Sequence, residues 1–442
     1  MSISATNSRS VGRNRKFVAV APSSIRADTP TEMHSQALDL ALDLQRRAQD
    51  LVDALQKHKN DPENVQIVEA QSHVRQSMRA FERETLQPCD FLSQMGIQQQ
   101  LFMCMHWLCY FNVVSIVPTG HGESISYDDL AQKANVPLTT MKSVIRMAMI
   151  YGVFRENPDG TLQHTHLSSA FATDSNVSNW MMYMAKETAP TIAHFIKATE
   201  RWPNSENKCE TAYSLSRGTS LAFFDHINLV PERANEFGTY MKSQAANRKG
   251  TSVDSLAAGF DWGGLGRATV VDVGGGGGDA SVSLAQKFSL LDFVVQDLPT
   301  AIATARKRAD SLPTQISLRI KFQEHDFFDE QPVKGARVYL LRMILHDWPD
   351  SDCVKILEQL SACTEAGGRI VIMDMVLPRP GSIPLEQEAG LRQKDLVMKQ
   401  NFNAKERELK EWESLMAKSG LRIKAVKMPA GSQLSVLEVV AV

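Results

Sequence analysis

The chain has 442 residues, 43% of them hydrophobic and 22% charged; at about 150 residues per domain this implies two or three domains with sizeable cores. Forty-eight Lys and Arg against 50 Asp and Glu leave a formal net charge of −2, which argues against a protein that lives by binding phosphate backbones. Six cysteines with no C-x-x-C pair exclude a disulfide scaffold and zinc-ligand spacing and suit a reducing, cytoplasmic setting.

Residues 1–32 are rich in Ser and Arg. Their basic run precedes too few apolar residues for a signal-peptide core. A disordered tail is the preferred reading, with a transit peptide as the alternative. Helical periodicity then runs from Met33 to about His58 through Leu38, Leu42, Leu51 and Leu55, and Asn60-Asp61-Pro62 breaks it. A second helix is expected to about Leu86. The most apolar stretch, residues 101–117, carries His106 and Asn112 and falls short of the roughly 20 apolar residues of a membrane span. It reads as one buried or interface helix, and no membrane partner is expected.

From Ser126 the pattern is helix, turn, helix, hairpin. Ser126 is placed to cap the first helix with Asp129 in capping-box position. Val136-Pro137 turns the chain, and Met141, Val144, Ile145, Ala148 and Met149 share one face of the second helix. Pro158-Asp159-Gly160 then turns a two-stranded wing. This is winged-helix patterning over about residues 124–167. Its basic footprint is thin, Lys142 and Arg146 against Glu156 and Asp159, so packing or dimerisation is expected of it rather than DNA binding. Residues 175–250 read as largely helical, with Trp180, Met181, Met182, Phe223 and Phe224 as apolar anchors.

The last third alternates strand-like and helix-like segments, which predicts an α/β domain with a doubly wound, mostly parallel seven-stranded sheet. The final two strands, joined by a short turn, should be antiparallel. In VVDVGGGGGDASVSLAQKF an apolar strand runs into five glycines, Gly274 to Gly278, and then a helix with Asp279 as its expected cap. Glycines let a ligand approach the backbone, and the helix start offers free amides. Asp297, twenty-three residues after Gly274 at the end of the second strand, is placed to hold both hydroxyls of a ribose. That pattern suits NAD, FAD or S-adenosylmethionine alike.

His346-Asp347-Trp348 lies just past the fourth strand, where ligands bind in open α/β sheets, and Asp350 is expected to cap the next helix. Imidazole is a sensible base near pH 7. Asp374 ends the next strand, and Glu406 is expected at the opening of the last helix. All three acidic and basic groups, His346, Asp374 and Glu406, can converge on one pocket.

From Ser124 onward the chain resembles the plant-type and fungal small-molecule O-methyltransferases that use S-adenosylmethionine. The shared order is a winged-helix region, Phe260-Asp261-Trp262, VDVGGG, QDLP, EHDFF, HDW, and KER followed by EW. The resemblance implies S-adenosylmethionine rather than NAD. It implies that Gly274 and Gly276 contact the methionine part of the cofactor, that Asp297 holds the ribose with Leu298 beside the adenine, and that Asp326 and Phe327 bracket the ring. Arg342 stands where plant members have Lys, keeping the charge with a different geometry. His346 matches the general base, flanked by Glu406 and by Asp374, the latter one methylene shorter than the usual Glu. Met241 is implied as lying against the acceptor ring, Met182, Met343 and Asp347 are further candidate pocket residues, and no metal is expected.

The implied reaction is methyl transfer to a phenolic or enolic hydroxyl of an aromatic or polyketide-derived metabolite, in a homodimer. The alternative on the same fold is dehydration or pericyclic cyclisation without methyl transfer. A non-catalytic, DNA-bound regulator is disfavoured by the charge balance, and no nucleic-acid partner is expected. The expected organisation is a tail over 1–32, a helical domain over 33–251, and a cofactor domain over 252–442.

Overall fold

The computed structural model describes residues 30–442 except 62, 248, 249, 251 and 366. Most of the expected tail, residues 1–29, lies outside the described residues. The chain divides into two compact units, one ending at Pro88 and the other running from Cys89 to Val442. In the first, helices Pro30–Lys57 and Val65–Thr85 pack against each other, and Ser77 donates to Asp43 at 2.6 Å between them. No helix among the described residues is long and apolar enough to cross a membrane.

The second unit opens inside helix Pro88–Tyr110. The apolar stretch expected as one helix breaks there: Asn112 turns left-handed at φ 54°, and a separate turn Val113–Ile116 follows. Asn tolerates that conformation better than most residues. Helices Tyr127–Ala134 and Leu138–Met149 and a hairpin pairing Arg155–Glu156 with Leu162–Gln163 come next. Ser126 caps the first of these by accepting from the Asp129 N–H at 3.1 Å. Leu108, Val113, Leu130, Met141, Ile145 and Leu162 form their common core.

Seven strands form the sheet: β1 Ala268–Val273, β2 Leu291–Asp297, β3 Ile320–Glu324, β4 Val338–Arg342, β5 Arg369–Asp374, β6 Leu421–Lys427 and β7 Ser435–Ala441. Their spatial order is β6-β7-β5-β4-β1-β2-β3. The β1–β5 pairings are parallel, and β7 alone runs against its neighbours β5 and β6. Side chains of period two feed two cores. Val270, Phe293, Leu340, Val371 and Val436 pack on one face under Leu284 and Ala285 of helix Asp279–Lys287. Val271, Tyr339, Leu341, Ile372 and Leu437 pack on the other under helices Asp350–Ser361 and Leu409–Lys418. The central strands are therefore apolar on both sides. The edge strand β6 alternates, with Arg422 and Lys424 outward, which discourages pairing with another chain.

Three further local expectations are corrected. Asp279 is the first helical residue rather than the cap; Gly278 takes the cap at φ 78°, and Asp279 pairs with Arg308 at 2.8 Å. Asp350 likewise begins its helix after Pro349, because its carboxylate is drawn to Arg407 at 2.8 Å. The segment after β5 leaves the sheet at Met375, and Val376–Leu377 pairs instead with Arg407–Glu408. Glu406 precedes that short strand, so it lies ahead of the last helix, which begins at Leu409 behind a Glu408–Glu411 capping box.

Trp412 locks this corner. It is fully buried and its Nε1–H donates to the Met375 carbonyl at 2.9 Å. Trp412→Ala is expected to destabilise the fold by about 3–5 kcal/mol, read from the midpoint of denaturant unfolding. A loss below about 1 kcal/mol would mean that this corner refills on its own.

Candidate active site

β1 ends beside the glycine turn. Asp272 is fully buried and accepts the Ser281 hydroxyl at 2.6 Å, tying the strand to the following helix. Gly274 stands at φ 69°, and a Cβ there would meet Ile344 Cδ1 at 2.6 Å. At Gly276, φ 54°, a Cβ would meet nothing within 4 Å, so the turn presents bare backbone to open space. Asp297 reaches it from the end of β2. Its Oδ2 accepts from the Gly276 N–H at 2.8 Å and its Oδ1 from the Leu298 N–H at 2.7 Å. Burial raises the Asp297 pKa, and these two N–H groups oppose the rise.

Phe327 sits near Gly274, its Cε1 3.6 Å from where a Cβ would be, and packs edge-on against Phe328 and Trp348. Leu298 is half exposed. Asp326 is exposed and uses its carboxylate to accept from the Phe328 N–H at 3.0 Å. Arg342 ends β4. Burial lowers its pKa, and the fields of Asp272, Asp279 and Asp374 oppose that fall, so its charge bridges the glycine turn and the histidine cluster.

The residues 343–348 carry the second half of the site. Met343 leaves β4 at φ 55°, a costly conformation for a side chain of this size. A short 3₁₀ turn, Leu345–Asp347, then presents His346. The imidazole Nδ1 lies 3.0 Å from Glu406 Oε1 and 3.7 Å from Asp374 Oδ1, while Nε2 lies 3.6 Å from Asp347 Oδ1. The hydrogen-bond network assigns the Nδ1 proton to Glu406, which leaves Nε2 of the neutral ring as the acceptor. His346, Asp374, Glu406 and Asp347 are thus brought together.

Charge in this cluster is unbalanced. Burial alone would lower the His346 pKa, but Asp374, Asp347 and Glu406 outweigh it and hold the imidazole well above its ordinary value. Burial pushes Asp374 up to about 6, His346 opposing and Glu406 reinforcing. Asp347 is likewise pushed to about 6, first by burial. Asp374 Oδ2 and Glu406 Oε2 are buried without a hydrogen-bond partner among the described residues. The Glu406 backbone is held from another side: its N–H donates to Asp395 Oδ1 at 3.0 Å. The ligand atoms of His346, Asp374 and Glu406 lie within 4.8 Å of one another. At that spacing the three side chains are close enough to share a proton or to face one bound group.

The remaining expected pocket residues are spread more widely. Met343 packs on the sheet core. Met182 and Met241 lie on helices Ser175–Tyr183 and Pro231–Asn247, which pack together; Met182 leans on the core of residues 105–185 and Met241 is 40% exposed. Neither takes part in the contacts that define the His346 cluster. An aromatic group of Tyr213, Phe223, Phe224, Phe237 and Phe402 packs together, and Phe402 stands four positions before Glu406. Two residues were given no role by the motifs. Arg407 stands inside KER, where a cation beside a candidate carboxylate was a usable signal. Asp395 lies eleven positions before Glu406 in a helix with no distinguishing pattern.

A parallel sheet with one reversed strand, a glycine turn after its first strand and a carboxylate at the end of its second define the class I methyltransferase fold. The O-methyltransferase domain family matches residues 203–422. The chain is 46% identical over 353 residues to O-methyltransferase fsr2 of Gibberella fujikuroi, covering 79% of this chain and 91% of that protein. It therefore belongs to the O-methyltransferase family, and it is an enzyme of that class. Among solved structures it matches an O-methyltransferase, NcsB1, from neocarzinostatin biosynthesis in complex with S-adenosylmethionine and 2-hydroxy-5-methyl naphthoic acid, at 25% identity and TM-score 0.62 over 78% of this chain and 96% of that one. A structure described as a pericyclic reaction enzyme matches at 20% identity and TM-score 0.68 over 88% and 99%. That likeness concerns the fold alone.

Proposed function

We propose that the protein methylates a phenolic or enolic hydroxyl of a small aromatic or polyketide-derived metabolite, with S-adenosylmethionine as donor and His346 as general base. The observation that carries the reading is the 3.0 Å Nδ1–Glu406 contact, which fixes the ring and leaves Nε2 to receive a proton. When bound, S-adenosylmethionine supplies a methyl group on a cationic sulfur that an oxygen nucleophile can displace. Gly274 and Gly276 provide backbone, Asp297 accepts the ribose hydroxyls, and Leu298, Asp326 and Phe327 line the adenine. Arg342 joins this set through its charge. The bare backbone at Gly276 beside the Asp297 carboxylate fits such a group.

On the acceptor side, a phenol with a pKa near 10 is mostly protonated at neutral pH. In the neutral ring, which is populated above the raised His346 pKa, Nε2 takes that proton as the oxygen becomes nucleophilic, and Glu406 and Asp374 stabilise the imidazolium that forms. Met182, Met241, Met343 and Asp347 complete the acceptor pocket, with the first two on the helical region. The helix-helix-hairpin of about residues 124–167 acts as a winged-helix dimerisation element. Product mass tests the reading against cyclisation on the same fold: a gain of one methyl with S-adenosylhomocysteine released supports it, and an isomerised product without cofactor consumption overturns it.

The pH dependence follows from the same cluster. His346 accepts a proton only when neutral, and its pKa lies well above 6.5. Activity therefore falls as the pH drops through that raised pKa and is regained above it. Glu406→Gln removes one of the carboxylates that raise it, so the acid limb of kcat/KM should move down towards 6.5. A wild-type limb at or below 6.5 would contradict the assignment.

A further inference from the structure

The turn that carries His346 is poorly held by its own backbone. It is entered through Met343 at φ 55°; of its internal hydrogen bonds, Asp347 N–H to the Ile344 carbonyl is 3.1 Å, and Trp348 N–H to the Leu345 carbonyl is stretched to 3.4 Å. A 3₁₀ turn of this length has weak hydrogen-bond geometry. Two groups hold it from outside: the Cys353 thiol, 3.2 Å from the Leu345 carbonyl and 3.3 Å from the Trp348 carbonyl, and a guanidinium that reaches the same carbonyls from a distant part of the chain. Arg407 is fully buried. Its NH1 donates to the Leu345 carbonyl at 2.9 Å and its NH2 to the Trp348 carbonyl at 3.0 Å. Those two carbonyls bracket His346 and Asp347.

The same guanidinium reaches Asp350 Oδ1 through Nε at 3.0 Å and NH2 at 2.8 Å, and NH1 also approaches the Lys405 carbonyl at 3.4 Å. Its backbone is registered too, because Arg407 pairs with Val376, two residues beyond Asp374. Glu406, its chain neighbour, accepts from His346 Nδ1. One residue, by side chain and backbone together, therefore ties the turn bearing the histidine to the two segments bearing its carboxylates. A planar fork with five N–H donors can serve two carbonyls and a carboxylate at once, whereas a Lys ammonium offers three donors from a single point.

We propose that Arg407 is a positioning residue for the His346 base: it sets the distance and angle between the imidazole and Glu406 by clamping the carbonyls of Leu345 and Trp348. The inference rests on the reading of His346 as base. It predicts that Arg407→Lys lowers kcat by about 10- to 100-fold while the KM for the acceptor and the dissociation constant for S-adenosylhomocysteine stay within about threefold. It also predicts that the acid limb of the pH profile moves towards 6.5, since Glu406 is no longer held against Nδ1.

The experiment measures kcat, KM, the pH profile and S-adenosylhomocysteine binding for Arg407→Lys, beside a thermal melt. Lower kcat with a shifted acid limb in a folded protein supports the proposal. Wild-type kcat and an unshifted limb overturn it, even if the melting temperature falls, because a purely structural arginine would give that result. Should Arg407→Lys fail to fold, Asp350→Ala decides on the same two readouts, since it removes the carboxylate that orients the guanidinium. The two readings separate cleanly. Turnover retained by His346→Ala removes the base itself. An inactive His346→Ala beside an unaffected Arg407→Lys removes only the clamp.

Discussion

Replacing His346 by alanine is expected to lower kcat by about 10²- to 10⁴-fold, the usual contribution of a positioned general base. Affinity for S-adenosylhomocysteine, measured by titration calorimetry, should stay within a few fold. The reason is spatial. His346 stands after β4 among Asp347, Asp374 and Glu406, whereas the glycine turn and Asp297 form a separate group at the ends of β1 and β2. Alanine leaves the folded turn in place, because Arg407 grips its carbonyls rather than the imidazole. Removing the imidazole also leaves two buried carboxylates facing each other without their cation. The raised imidazole pKa lends stability below that pKa and loses it as the pH rises through it, so the loss of stability is expected at neutral pH, and activity must be compared at a temperature where both proteins are folded. Turnover within tenfold of wild type, about 1.4 kcal/mol of barrier, would show that the proton leaves by another route.

Asp297→Ala should have the second large effect, and on the other half of the site. The carboxylate accepts two backbone N–H groups, one from Gly276 and one from Leu298. Hydrogen bonds to a charged acceptor contribute roughly 1.5–3 kcal/mol each. Their loss frees the glycine turn, and the ribose partner disappears with it. Affinity for S-adenosylhomocysteine is expected to fall by about 10²-fold or more, which corresponds to about 3 kcal/mol. Calorimetric titration reads this without any turnover. Unchanged affinity in a folded Asp297→Ala protein would place the ribose contact elsewhere.

The fold likeness to both a methyl-transferring and a pericyclic enzyme means that architecture does not choose the reaction. The choice lies in the site and in the closer relatives. A neutral Nε2 opposite a carboxylate-bound Nδ1 is suited to taking a proton, and the 46%-identical relative is named an O-methyltransferase.

Much of this was legible in the residues. The apolar runs at 268–273 and 338–342 have Val or Leu on both faces, so they had to be central strands. The five glycines and Asp297 fall at the ends of adjacent parallel strands, and strand register carries them together without further information. His346 follows β4 at a sheet end where ligands bind. These features are local, and local spacing determines them.

Other features were decided only when distant segments met. Asp350 looked like a helix cap, and the buried guanidinium of Arg407 claimed its carboxylate instead. Glu406 looked helical, and the pairing of residues 376–377 with 407–408 drew it out beside His346. Asp395 bore no mark at all, yet it fixes the Glu406 backbone. Composition and periodicity, read along the chain, determined a large α/β protein with a glycine turn and a candidate base. Which carboxylates surround that base, and what raises its pKa, depend on desolvation and on charges brought within 4 Å from positions dozens of residues apart. Such terms exist only in the folded chain, because water screens them in the extended one.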